Sequence, residues 1–141
     1  MRGRIALSLA LVALLCGFAG CSGCNPHAED INQASKVTEA WIKLIDQGSY
    51  GEAWDQTGAQ LKTAFGRDAF IKQTEGFRNA FGPLNSRTLE SASYNENASG
   101  PGQFVIIRYT SSFKRRPAAL EEITVQKEAD GVWRPLGYYL R

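Results

Sequence analysis

The sequence predicts an α+β domain in which N-terminal helices pack on one face of a four-stranded antiparallel sheet. Three observations carry this expectation. Apolar residues recur at helical spacing from Ile31 to Phe81, the period changes after Pro83, and the last 22 residues, Leu120 to Arg141, read as a β-hairpin. In that hairpin Ile123 and Val125 alternate with Thr124 and Gln126, Asp130-Gly131 supplies the turn, and Trp133, Leu136, Tyr138, Tyr139 and Leu140 form the returning strand. A lone hairpin is marginal in water, so it requires further strands beside it and a second layer above.

The preceding residues supply both. Ile31, Ala34, Val37, Trp41, Leu44 and Ile45 line one face of a first helix, with Asp30 as its expected cap and Gly48 as its stop. Ser49-Tyr50-Gly51-Glu52 has the form of a capping box and opens a short second helix that turns Tyr50, Ala53 and Trp54 inward and closes at Gly58. Leu61, Ala64 and Phe65 suggest a further helical turn broken at Gly66. Phe70, Thr74, Phe77 and Phe81 then form the stripe of an amphipathic helix ending at Gly82-Pro83. Leu89, Ala92 and Tyr94 mark a first strand whose alternation slips once, as at a bulge. Asn95 to Gly102 reads as a loop. Phe104 to Phe113 is a strand with Val105, Ile107, Tyr109 and Phe113 on one face, and Lys114 to Pro117 turns the chain into the terminal hairpin. Pro135 lacks an amide donor and therefore implies an edge position or a bulge in the last strand.

The N-terminus carries a different signal. Arg2 and Arg4 precede an apolar run of 11 residues, Ile5 to Leu15, interrupted only by Ser8. That is too short to span a bilayer, which needs about 20 residues, and fits the central region of a secretory signal. Phe18-Ala19-Gly20-Cys21 resembles the lipobox of bacterial lipoprotein signal peptides at three of four positions, with Phe18 where Leu is usual. The resemblance implies cleavage before Cys21 and acylation of its thiol, with Cys24 as the alternative; an ordinary signal peptide cut near Gly20 or Gly23 is the competing reading. Residues 1–20 are thus expected to be the signal, 21–30 a tether and 31–141 the folded domain. Ser22 after the Cys resembles the pattern of lipoproteins sent to the outer membrane, which implies a domain facing the periplasm.

Without Arg2 and Arg4 the chain has 14 basic and 14 acidic residues, which argues against a nucleic-acid partner. The folded region contains no cysteine, so no disulfide framework is expected there. The single histidine, His27, falls in the tether. Nucleophile systems built on His, and the usual His or Cys zinc sites, are therefore not expected in the domain. No cofactor or metal is implied.

Gly48, Tyr50, Ala53 and Trp54, together with the Phe104–Phe113 strand and the terminal Trp133, Arg134, Gly137, Tyr138, Tyr139 and Arg141, resemble the domain of unknown function DUF4019. The resemblance covers about Ile31 to Arg141. It implies a cone-shaped α+β architecture similar to cystatin-like and NTF2-like domains, and it carries over no catalytic residues.

Candidate site residues fall into two groups. Trp54, Tyr109, Glu121, Trp133 and Tyr139 could line a ligand pocket, although aromatic residues at these spacings serve equally as plain core. Glu121 shares a face with Ile123 and Val125, as a carboxylate base in a cone would; the simpler expectation puts it at the strand end, paired with Arg108 or Arg116. Lys114, Arg115 and Arg116 could touch anionic headgroups or an acidic partner, or form a solvated hairpin tip. The leading functional expectation is a non-enzymatic envelope lipoprotein that engages a protein or another envelope component. The alternative is a module for a small apolar ligand between helices and sheet, and an enzyme using carboxylate and tyrosine chemistry comes third. A cavity above about 300 Å³ with a buried carboxylate would favour ligand or enzyme; a filled core would favour the interaction role.

Overall fold

A computed structural model describes residues 25–141, so the signal segment, Cys21 and Cys24 lie outside the described residues. Four helices precede four strands: α1 (Ala28–Asp46), α2 (Tyr50–Asp55), α3 (Ala59–Ala64), α4 (Arg67–Phe81), β1 (Leu84–Glu96), β2 (Gln103–Phe113), β3 (Arg116–Lys127) and β4 (Trp133–Leu140). The strands form one antiparallel sheet in the order β1-β2-β3-β4. Both the α+β class and the four-stranded antiparallel sheet are as expected. Trp41 and Ile45 from α1, Phe70 from α4, and Val105, Ile107 and Ile123 from the sheet meet in one core.

The helical boundaries depart from expectation in two instructive places. α1 starts at Ala28, because His27 is tied down: its ring stacks on Tyr94 with centroids 3.6 Å apart and planes 3° from parallel. Asp30 therefore lies inside the first turn and does not cap it; its carboxylate instead accepts a hydrogen bond from Lys127 Nζ at 2.9 Å. The expected capping box at Ser49–Glu52 does not form either, since Ser49 makes no side-chain cap bond. Its backbone is committed to the turn that ends α1. Gly48, at φ +79°, donates to Ile45 O at 3.2 Å and Ser49 donates to Leu44 O at 2.9 Å, the paired bonds of a Schellman stop. Trp41 Nε1 donates to Ala53 O at 2.8 Å and locks α2 against α1 across this turn.

In the sheet, the irregularities visible in the sequence correspond to shifts of register. Leu89 pairs with Tyr109 and Ser91 with Arg108, so one residue bulges between them and the slip in alternation is explained. A second shift follows Leu84. β4 is an edge strand, and its register shifts between the Thr124 and Val125 pairs, beside Pro135. Pro135 therefore meets both conditions its missing donor imposes. The turn between β2 and β3 is tighter than expected: Phe113 pairs with Arg116, leaving only Lys114 and Arg115 at the tip.

Two glycines separate backbone strain from helix propensity. Gly48 has positive φ and nothing within 4 Å of an added Cβ; Gly76, inside α4, also has open space but carries no such backbone constraint. Gly48→Ala is expected to lower unfolding free energy by about 1–2 kcal/mol, the cost of a left-handed backbone for an L-residue. Gly76→Ala should raise it by about 0.5–1 kcal/mol. Urea denaturation of both variants checks the opposite signs.

Candidate functional site

Two features sit side by side beneath and beside the helices: a buried ionic cluster and an apolar groove. The cluster grows from Glu121, which lies on the inward parity of β3 and is fully buried. Arg87 of β1 donates to it through Nε at 2.5 Å and Nη2 at 3.1 Å, Ser111 Oγ donates at 2.5 Å, and the Tyr138 hydroxyl donates at 2.6 Å. The same Arg87 donates to Asp46, the last residue of α1, at 2.7 and 3.0 Å, and Arg78 of α4 reaches Asp46 at 2.9 Å and Glu121 at 3.6 Å. Two arginines thus face two carboxylates, and the quartet is neutral. The expected pairing of Glu121 with Arg108 or Arg116 is not made, because Glu121 points inward: Arg108 pairs with the adjacent Glu122 at 2.7 Å, and Arg116 lies over the Phe81 ring at 5.4 Å.

The electrostatics follow from burial. Burial opposes the charge on Arg87, but its hydrogen bonds to Asp46 and Glu121 prevail and hold its pKa above the ordinary guanidinium value. Burial, with the Glu121 charge beside it, pushes the Tyr138 hydroxyl well above the usual phenol value. Each Glu121 oxygen accepts two hydrogen bonds, Oε1 from Tyr138 and Arg87, Oε2 from Arg87 and Ser111. A carboxylate so saturated has no free lone pair aimed at a substrate proton. Among the described residues no group of three or more His, Cys, Asp or Glu could hold a metal ion.

The groove, about 320 Å³, opens between α3, α4 and the edge strand. Leu61, Phe65, Phe70, Phe77, Leu136 and Tyr138 give it apolar walls, and Gln73 and Thr74 add polar atoms. Phe65 at its mouth is 38% exposed, high for a large apolar side chain, and Tyr139, which borders the groove next to Tyr138, is 65% exposed. Tyr138 joins the two features: its ring lines the groove while its hydroxyl belongs to the cluster.

The five pocket candidates named from sequence do not converge. Tyr139 alone lines the groove. Tyr109 and Trp133 are buried in the core, the former beneath Arg87 and the latter beneath Lys127. Trp54 packs against that core and donates its indole N–H to Phe65 O at 3.1 Å, fixing α3 to α2. Glu121 belongs to the cluster. At the hairpin tip, Arg115 reaches back to donate to Asn79 O and, from its backbone, to Phe81 O at 3.0 Å; Lys114 is exposed. Sequence reasoning missed Arg78, Arg87 and Asp46. Arg78 could have been found, because it lies four residues after Thr74 on the Phe70–Phe81 stripe.

The buried phenol has a measurable consequence. A tyrosine whose folded pKa is raised stabilises the fold fully below its unfolded pKa, about 10, and loses that contribution above it as the unfolded chain ionises. Tyr50, Tyr94 and Tyr109 are raised too, each chiefly by burial. Unfolding free energy should therefore fall as pH rises above about 10, and Tyr138→Phe should reduce that slope by up to about 1.4 kcal/mol per pH unit. Equilibrium denaturation across the alkaline range tests this.

Comparison with known proteins places this geometry in a family. No curated protein matches the sequence. Among solved structures, a protein from Catenulispora acidiphila is 13% identical with a TM-score of 0.54, covering 82% of this chain and 92% of its own. The protein Aln2 from a Streptomyces species is 12% identical with a TM-score of 0.53 and the same coverages, 82% and 92%. A Catenulispora acidiphila structure in complex with S-DNPA is 11% identical with a TM-score of 0.53, covering 80% and 92%. At these identities the likeness is one of fold. A model described as "Protein of unknown function (DUF4019)" matches residues 37–138, from within α1 to Tyr138 of β4, and the chain belongs to that family.

Proposed function

We propose that this chain is a lipid-anchored binding domain of the bacterial cell envelope, acylated at Cys21, and that its binding site is the groove along β4. The observation that carries the binding reading is an apolar groove of about 320 Å³ with Phe65 exposed at its mouth. Sites of this size and lining take mostly apolar ligands. A non-catalytic role is supported by the state of Glu121, whose oxygens are occupied and whose charge two arginines neutralise. Two occupants suit the groove. One is a segment of an envelope protein. The other is a small apolar molecule; a neighbour of the same fold, 11% identical, is solved in complex with S-DNPA.

The anchor rests on the signal-like segment before Cys21, and Ser22 supports an outer-membrane location facing the periplasm. Several acyl chains at about 0.8 kcal/mol per buried methylene would hold the domain firmly at the surface. Among the described residues no helix is long and apolar enough to cross a membrane. Intact-mass measurement of the protein from membranes of its native host should find the chain beginning at an acylated Cys21, and Cys21→Ala should abolish the modification. An unmodified, membrane-free wild type would overturn the anchor.

For the groove, N-phenyl-1-naphthylamine is a neutral apolar probe whose fluorescence rises on burial. It should bind wild type saturably, and Gln73→Trp, which fills the groove from an exposed position, should weaken binding by about tenfold, the loss of one well-packed contact. Equal affinity in a variant with unchanged melting temperature would remove the groove from consideration.

A further inference from the structure

β4 leaves part of its backbone unpaired beside this groove. Leu120 and Arg141 exchange both backbone hydrogen bonds, at 2.8 and 3.1 Å, which fixes the phase of the β3–β4 ladder. In an antiparallel pair such bonded positions alternate with non-bonded ones. Leu140, opposite Glu121, and Tyr138, opposite Ile123, therefore turn their N–H and C=O groups away from β3 to the outer edge. The first half of that edge is closed, since Pro135 has no N–H and its C=O accepts from Gly58 N at 2.9 Å. At Tyr138 and Leu140 no backbone partner lies beyond the edge among the described residues.

The other edge, β1, is blunted by two register shifts and by Arg87, Glu90 and Glu96, as proteins commonly protect an edge. The Gly137–Leu140 stretch has none of these devices. It also has a recess on each side. The groove lies on the helical side, and a second recess of about 310 Å³, bordered by Leu120, Glu122, Tyr139, Leu140 and Arg141, includes the Glu122–Tyr139 pair, whose side chains point to the opposite face.

We infer that β4 accepts an added strand from a partner protein: an extended segment, antiparallel to β4, with apolar residues alternating into the groove and acidic residues preceding them. This deepens the binding reading above and rests on it. Backbone groups at Tyr138 and Leu140 supply the pairing, and side chains two residues apart enter the groove. The acidic flank follows from charge: beyond Leu140 the added strand passes Arg141, which is exposed and has no ion-pair partner among the described residues. A second copy fits less well. Its own β4 carries Arg134, with Arg141 directly after it, and no acidic residue to set beside Arg141.

The test uses a fluorescein-labelled peptide, Asp-Asp followed by Val and Phe alternating with Thr, and a copy N-methylated at the amides that would face β4. The lipid-free chain starting after Cys24 should bind the first peptide saturably by fluorescence anisotropy. Binding should fall about tenfold for the methylated copy and for Leu140→Pro, which removes an outward N–H and no bond to β3. Equal binding of both peptides, or undiminished binding by a folded Leu140→Pro, overturns the inference. A wild-type dimer that Leu140→Pro dissociates in sedimentation would assign the edge to a second copy and also overturn it. If N-phenyl-1-naphthylamine binds and no peptide does, strand addition fails while the groove stands; if neither binds, both readings fail.

Discussion

Glu121 cannot enter the interior of this domain alone. An uncompensated carboxylate at a fully buried position is among the most unfavourable arrangements a fold can contain, and here it arrives in the middle of an apolar strand. Its compensation comes from four other elements: Arg87 on β1, Ser111 on β2, Tyr138 on β4 and Arg78 on α4, with Asp46 at the end of α1 balancing the second arginine. Replacing a buried ion pair with apolar groups is often neutral or stabilising, so the quartet is weak evidence for stability as such. What it does define is position. A shift of any strand by one residue would turn its member of the cluster to the opposite face.

That constraint reaches the groove through Tyr138. Its hydroxyl is held by Glu121 and Arg78, so the ring that walls the groove has little freedom to swing into it, and Trp41 and Phe77 meet the same ring edge-on at 5.8 and 5.5 Å. A recess lined by aromatic side chains would otherwise tend to close on itself. The ionic cluster and the groove are thus two sides of one arrangement, with charge satisfaction on one side keeping apolar surface available on the other.

Much of the fold was legible because its signals are local. Gly48, the slip between Leu89 and Ala92, Asp130-Gly131 and Pro135 each act through their own backbone or nearest neighbours, and each lies at the stop, bulge, turn or edge it implied. The capping box failed for a reason equally local, since the turn that ends α1 claims Ser49. The site was less legible. Arg87 lies just after a register shift, in a polar stretch with no clear alternation, and its partners are 41 and 34 residues away in sequence. Parity placed Glu121 on the apolar face correctly, but the inference that a partner must follow it inward required knowing which strand would lie across from Ser111. The groove depends on strand order, because only an edge strand leaves room beside it for α3, and no residue in β4 apart from Pro135 announces that position.

The strand order also bears on how the molecule assembles. Each strand pairs with the next one in sequence, so the sheet can grow hairpin by hairpin with short loops to close. The ionic cluster has the opposite character, drawing its members from position 46 through position 138. It can close only when helices and sheet have docked. A charged interior drawn from helices and sheet alike gives this domain a built-in check, in which collapsed states with the wrong register are left holding a buried charge without its partners.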